Sequence, residues 1–198
     1  MTADGLDSKI IHMENDELKD LRERLFKLLE KDALRRGDFT LSSGKKSNYY
    51  LDGREITLTP EGAYLIANII LKLCEGKGIS AIGGPTLGAD PIVGALGAVS
   101  HIKGITLKTF IVRKAAKEHG ARRQIEGPQL TKGDKVLLVD DVATTGKALI
   151  EAKETLIKEG IDCSLAMVIV DRCEGAGENL SQAGLELKSI FTIRDFGL

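Results

Sequence analysis

The chain is poor in residues that could staple it or hold a metal. Its 198 residues include three cysteines, Cys74, Cys163 and Cys173, and three histidines, His12, His101 and His119. The cysteines lack paired metal-ligand spacing, and their odd number argues against a closed disulfide framework. Reduced, mostly buried thiols are therefore expected. The histidines are too scattered to make a zinc site. No run approaches the roughly 20 apolar residues that a membrane-crossing helix requires. Charges dot Met1 to Asp20, where a secretion signal would need an apolar core. The formal net charge of −1 gives no basis for a nucleic-acid or polyanionic partner. These absences predict a cytoplasmic protein with neither a membrane nor a nucleic acid as partner.

What remains is the composition of a compact enzyme. Hydrophobic residues make up 42% and charged residues 29%, the balance of an ordinary globular protein. The length suits one domain over residues 1–198 with a full-sized core. About fifteen polar residues precede any pattern, and residues 1–15 are expected to be a flexible N-terminus. Leu18, Leu21, Leu25, Leu28 and Leu29 then recur at helical spacing to about Arg36, with Gly37 as a stop. Phe39 to Asp52 reads as short β-type pieces around the turn from Ser42 to Lys46. Pro60 to Cys74 fits a helix with proline in its first turn.

A small strand follows, from Ile79 to Ile82, ending in the tight turn Gly83-Gly84-Pro85-Thr86. It leads into a small-residue helix that runs to His101. Thr106 to Val112 reads as a strand, and Arg113 to Gly133 as a long polar segment. Val136 to Val139 is a buried strand, and Ala148, Leu149, Ala152 and Leu156 begin a helix. Cys163 to Val170 is another buried strand, Gly177 to Ala183 is helical, and Leu187 to Ile193 is a last strand. Alternating strands and helices imply an α/β fold with a doubly wound parallel sheet. No internal repeat or dividing linker is present.

Ligands of such sheets lie beyond the carboxyl ends of the strands, so what each strand delivers there matters. The strand at Val139 delivers Asp140-Asp141-Val142-Ala143-Thr144-Thr145-Gly146-Lys147-Ala148. Two carboxylates stand beside a turn of backbone N–H groups, next to the positive end of a helix. Carboxylates accept hydrogen bonds from sugar hydroxyls, whereas N–H groups and threonine hydroxyls donate to a phosphate. One turn can therefore hold both halves of a ribose 5-phosphate. A nucleotide-hydrolase loop of the Walker A type is excluded. Asp141 stands where its first glycine belongs, and Ala148 where its serine or threonine belongs.

Gly83 to Thr86 can form a second anion loop, and Asp171-Arg172 ends the strand at Val170. The run from Arg113 to Arg123 carries Arg113, Lys114, Lys117, Arg122 and Arg123 against Glu118 alone. A long segment of this kind inside a compact domain suits a lid that closes over a polyanion.

The acids followed by Ala-Thr-Thr-Gly resemble the phosphoribosyl pyrophosphate (PRPP) signature of the type I phosphoribosyltransferases. Phe39 to Tyr50 is similar to the N-terminal hood motif of the orotate phosphoribosyltransferase family. Val112 to Gly120 resembles that family's mobile loop, and Val170-Asp171-Arg172 its base-binding strand end. The match spans roughly residues 18 to 193 in the expected order. It divides the chain into a hood region at 16–55, a mobile active-site loop at 113–133 and the sheet that carries both.

The resemblance implies transfer of a phosphoribosyl group from PRPP to orotate, giving orotidine 5′-monophosphate and pyrophosphate. The transition state it implies has oxocarbenium character. On this reading Asp140 and Asp141 hold the ribose hydroxyls and favour positive charge on the sugar. Backbone N–H groups from Val142, Ala143, Thr144, Thr145, Gly146, Lys147 and Ala148 hold the 5-phosphate with the threonine hydroxyls. Arg113, Lys114, Lys117, His119, Lys46 and Thr86 complete the PRPP contacts, with Lys117 acting mainly in the transition state. Thr144, Arg172 and Tyr50 bind orotate, with Arg172 on its carboxylate.

The resemblance also implies Mg2+ bound mainly through PRPP and pyrophosphate, with no dedicated protein ligand, and a homodimer whose loop is shared between subunits. Two departures from the family stand out: Ser42, where many bacterial members carry lysine, and Leu87-Gly88, where some carry Tyr-Lys. Either change shifts PRPP contacts toward Lys46 and the loop. A phosphoribosyltransferase for another base and a non-catalytic PRPP-sensing regulator are the alternatives. Fusion to a decarboxylase is not expected, since no second barrel-sized domain follows Leu198.

Overall fold

The structure, a computed structural model, describes residues 3–40, 44, 46–115 and 124–198, with side chains from residue 16 onward. Helix α1 (Ala3–Leu28) runs into a short π-helical turn, Leu29–Ala33, and the chain becomes extended at Leu34. The helix starts well before Leu18, where the apolar spacing begins, and no proline interrupts it. It also ends earlier than the expected Arg36. Leu21, Leu25, Leu29 and Ala33 are buried, and Leu34 then pairs with Leu51 as a strand. Gly37, the expected helix stop, instead lies at an irregularity inside that strand, with φ 149°. Tertiary pairing has overridden the helical spacing.

Strands β1 (Leu34–Thr40) and β2 (Lys46–Leu51) form a separate antiparallel hairpin, followed by the short helix α2 (Arg54–Thr57). Helix α3 (Pro60–Cys74) begins with proline at its first position, where no N–H is needed. The Thr59 hydroxyl caps it by accepting from the Gly62 N–H at 3.1 Å. The rest of the chain alternates strands and helices: β3 (Ala81–Pro85), α4 (Ala89–Ile102), β4 (Lys108–Val112), β5 (Ile125–Glu126), β6 (Val136–Ala143), α5 (Lys147–Lys158), β7 (Cys163–Asp171), α6 (Ala176–Gln182) and β8 (Glu186–Thr192). A turn of 3-10 helix, Ile193–Phe196, ends it.

The large sheet has the order β5-β4-β3-β6-β7-β8 and is parallel except at β5, which pairs antiparallel with β4. β5 lies within the stretch expected to be polar and structureless. At two residues it is too short to leave a pattern in the sequence. Helices cover both faces, and alternate residues of one strand serve opposite cores. Leu137 and Val139 pack with α1, α3 and α4, whereas Val136 and Leu138 pack with Leu149, Ala152 and Leu156 of α5 and Leu180 of α6. This two-sided burial is why each strand reads as a continuous apolar run.

Among the cysteines, Cys163 is buried, Cys74 is half-buried and Cys173 is exposed. Burial pushes the Cys74 thiol up to about 11. Among the described residues no helix is long and apolar enough to cross a membrane.

β3 leads outward to β4, while β6 returns on the other side of β3. The winding therefore reverses between β3 and β6. A reversal of this kind opens a crevice at the carboxyl ends of the two strands.

Candidate active site

The crevice between β3 and β6 receives Thr86, Leu87 and Gly88 from one strand and Asp140 and Asp141 from the other. The peptide bond between Thr86 and Leu87 is cis. The loop approaches the carboxylates so closely that a Cβ at Gly88 would stand 2.3 Å from Asp140 Oδ1 and 2.5 Å from Asp141 Oδ1. Asp140 Oδ1 accepts from the Asp141 N–H at 3.0 Å, and Asp141 Oδ1 accepts from the Val142 N–H at 2.7 Å. Each carboxylate is thus aimed by the amide that follows it in the chain.

Beyond them the chain turns at Gly146, in the left-handed region at φ 76°, and enters α5 without a side-chain cap. Glycine is the residue that takes this conformation without strain. A Cβ there would also meet Leu180 Cγ at 2.8 Å. Asp140 and the run from Val142 to Leu149 line a cavity of about 190 Å3. The first-turn N–H groups of α5 are free of side-chain caps, and Thr144 and Ala148 stand beside them in the wall. Thr145 is exposed, and its carbonyl accepts from Asn179 Nδ2 at 2.9 Å. Lys147 points away, toward Glu151 at 3.7 Å.

The carboxylates are held in an environment that resists their charge. Burial, and then the charge of Asp141, push the Asp140 carboxyl well above the usual carboxylate range. Burial also raises Asp141, opposed by the Val142 N–H and by the charge of Arg54. Asp90, in the first turn of α4, is raised by burial too, and its Oδ1 has no hydrogen-bond partner. Three under-compensated acids in one crevice suit a ligand that brings hydroxyl donors and positive charge. Among the described residues no group of three His, Cys, Asp or Glu side chains is arranged to hold a metal. A hydrated Mg2+ carried by a ligand's own oxygens needs no such group.

At the end of β7 lies the other half of the crevice. The Arg172 N–H donates to the Ala143 carbonyl at 2.9 Å. Its side chain is 10% exposed and lies over the Tyr49 ring, with Cζ 4.8 Å from the centroid. Nε donates to the Tyr49 hydroxyl at 3.0 Å, and Nη2 meets Glu174 Oε1 at 2.8 Å. Neither Tyr49 nor Glu174 is singled out by sequence reasoning. Tyr49 is one of two adjacent tyrosines on a strand, and only the strand's register settles which of them faces inward. Tyr50 takes the other side. Its ring is 5.8 Å from that of Phe39, and its hydroxyl donates to Asp52 Oδ2 at 3.4 Å.

The hood adds a second group that the sequence left unmarked. Arg54 forms a paired contact with Asp52, both hydrogen bonds at 2.9 Å. Between them Gly53 packs on Asp141, so closely that a Cβ would stand 2.8 Å from the Asp141 Cβ. The alternation Asp52-Gly53-Arg54 was the available signal, and it reads from sequence as an ordinary turn.

Lys46, Arg113 and Lys114 lie apart from the crevice, and the Thr86 amide is used by the sheet. Lys46 donates to the Thr40 hydroxyl across the hairpin at 2.7 Å. The Thr86 N–H donates to the Val112 carbonyl at 3.0 Å. Arg113 meets Glu126 at 3.3 Å, and with Lys114 and Glu151 it lines a separate cavity of about 270 Å3 along α5. Ser42, Lys117 and His119 lie outside the described residues.

Comparison with known proteins agrees with this arrangement. Residues 60–187 match the family model described as phosphoribosyl transferase domain. The chain is 44% identical over 180 residues to an orotate phosphoribosyltransferase of Rhodopirellula baltica, covering 88% of this chain and 93% of that one. It is 42% identical over 175 residues to one from a Nostoc species, covering 88% of this chain and 84% of that one. Among solved structures, the orotate phosphoribosyltransferase of Mycobacterium tuberculosis H37Rv in complex with PRPP superposes with a TM-score of 0.74. That pair is 34% identical, over 90% of this chain and 99% of the other.

Proposed function

Since the chain belongs to the orotate phosphoribosyltransferase family, we propose that it transfers the 5-phosphoribosyl group of PRPP to orotate. The products are orotidine 5′-monophosphate and pyrophosphate, a step of pyrimidine biosynthesis. The observation that carries this reading is the joining of two unlike subsites in one crevice. The Asp140–Asp141 turn suits a ribose phosphate, and the Arg172 side chain, whose backbone is bonded to that same turn, suits an anionic base.

On this reading the N–H groups from Val142 to Ala148 and the Thr144 and Thr145 hydroxyls receive the 5-phosphate at the start of α5. Asp140 and Asp141 accept hydrogen bonds from the ribose hydroxyls. The C–N bond to orotate forms as the C–O bond to pyrophosphate breaks, and positive charge develops on the ribose ring. The two carboxylates, whose charge burial opposes, gain their strongest partner at that stage. This is stabilisation of the transition state rather than of bound substrate. Arg172, lying over the Tyr49 ring, fixes the carboxylate of orotate and Thr144 completes the base subsite, whereas Tyr50, assigned to it from the sequence, faces the other side of β2.

Mg2+, carried by the substrate without a dedicated protein ligand, would supply charge neutralisation of the leaving group. Lys117, assisted by Arg113, Lys114 and His119, closes over that group from the segment at 113–133. Lys46 and Thr86 add PRPP contacts. The reading includes residues 1–198 as one domain acting in the cytoplasm. It also includes a homodimer in which the loop of one subunit serves the site of the other.

Pyrophosphate release from PRPP, measured with orotate, uracil, adenine and hypoxanthine in turn, tests the substrate. Release with orotate alone is expected. Release with another base and none with orotate would overturn it.

A further inference from the structure

Arg172 is the cation assigned to the substrate's carboxylate, yet in the structure it already holds one. Glu174 Oε1 lies 2.8 Å from Arg172 Nη2 and 3.5 Å from the Tyr49 hydroxyl. The backbone is bent to bring it there. Cys173 lies in the left-handed region at φ 56°, the one described non-glycine residue to do so, and Gly175 follows at φ 99°. The Cys173 N–H is fixed to Asp171 Oδ1 at 2.9 Å. Two residues along from Arg172, the chain has doubled back so that Glu174 faces it. Non-glycine residues adopt this conformation only where the surroundings impose it.

The two partners differ in what they can do next. The Arg172 side chain is 10% exposed, lies over Tyr49 and donates to its hydroxyl, so the guanidinium is fixed in place. The Glu174 side chain is 31% exposed and has water at hand. On leaving the pair Glu174 regains hydration, whereas Arg172 without a partner would be a nearly buried, uncompensated cation.

We propose that Glu174 is a built-in stand-in for the substrate's carboxylate, capping Arg172 and ceding it to the incoming anionic base. The proposal rests on the orotate reading of the same pocket. Binding is then an exchange of one carboxylate for another, with no covalent change, and the charge beside Arg172 is the same before and after. A neutral pyrimidine cannot make the exchange, so the device adds to discrimination by Arg172 itself. Its consequence is that orotate binds more weakly than it would to an uncapped Arg172.

A residue that only oriented Arg172 would act with the opposite sign, and substitution separates the two. Glu174→Gln keeps the shape and an accepting oxygen but removes the competing charge, and Glu174→Ala removes both. Exchange predicts that KM for orotate, and its Kd by calorimetry, fall on the order of tenfold in both variants, the worth of one charge-assisted contact. KM for PRPP and the inhibition constant of uracil should stay at their wild-type values. A rise in KM for orotate, or no change in either variant, would overturn the exchange. If the wild-type protein neither consumes nor binds orotate, the proposed function itself fails, a result distinct from failure of the exchange alone.

Discussion

The Ala143 carbonyl and the Arg172 N–H are joined by a 2.9 Å hydrogen bond that ties the end of β6, just before the turn at Gly146, to the end of β7. Because the link is made by backbone, the Arg172 side chain can be removed without untying the turn. Arg172→Ala should therefore raise KM for orotate by about 10- to 150-fold, the loss of roughly 1.5–3 kcal/mol expected for one charged hydrogen bond. Kd for PRPP should remain within a factor of about two by the same reasoning, since no charged contact to it is lost. Calorimetric titration of each substrate checks both. Weakening of PRPP binding to the same extent would show that the side chain supports the turn.

Asp140 predicts a trade between stability and function. Its folded-state pKa is raised by burial and by Asp141. An acid raised on folding contributes stability below its unfolded pKa and loses it as pH rises through the folded value. Above the ordinary carboxylate range the need to ionise this buried group therefore opposes folding. Asp140→Asn keeps an oxygen for the Asp141 N–H and removes the charge. Its Tm should exceed that of the wild type by an amount that grows as pH rises above the ordinary carboxylate range, while turnover is lost. Thermal melts across that range check this, and a lower Tm at neutral pH would contradict it.

Asp134 works in the opposite sense at the far end of the sheet. It accepts from Lys108 Nζ at 2.7 Å, from the Thr131 N–H at 2.7 Å and from the Ser80 hydroxyl at 3.0 Å. The Lys108 contact, aided by the Thr131 amide, holds its carboxyl below the usual range. A depressed acid contributes stability above its unfolded pKa, about 4 for aspartate, and loses it as pH falls through the folded value. Asp134→Ala should lower Tm by several degrees at neutral pH and by progressively less on acidification below that value. The kcat of the folded variant should match the wild type.

Lys117, assigned to the transition state, makes a kinetic prediction. Lys117→Ala should lower kcat far more than it weakens PRPP binding. An unchanged kcat with a raised KM would remove that role. If the segment is shared across a homodimer, mixing Lys117→Ala with an Asp140 and Asp141 double variant should restore activity through one intact composite site. Verified mixed dimers without any recovery would argue against sharing.

How much of this could be read in the sequence differs from element to element. Pro60–Cys74 was legible to the residue, because a proline at the first turn and a full apolar face mark a helix unambiguously. The strand that carries Asp140 and Asp141 was legible at its start, but it was expected to stop at Val139 and instead runs on to Ala143, because Val142 and Ala143 still pair with β7. The end of α1 was not, since Leu34 continues a helical spacing and only its pairing with Leu51 makes it a strand. In the site, register kept Tyr49 and Tyr50 indistinguishable in the sequence. Glu174 was hidden for a different reason: its contact with Arg172 depends on the left-handed backbone at Cys173, which no residue type announces. The approach of Gly53 and Gly88 to Asp141 depends on packing between segments far apart in the chain.

The most direct test of the account is the absorbance of orotate after addition of PRPP and Mg2+, with uracil as the control base. Consumption of orotate that requires the enzyme, PRPP and Mg2+ together, with no turnover of uracil, is the predicted result. Saturable binding of PRPP without any loss of orotate would contradict it and leave a PRPP-binding protein without this reaction.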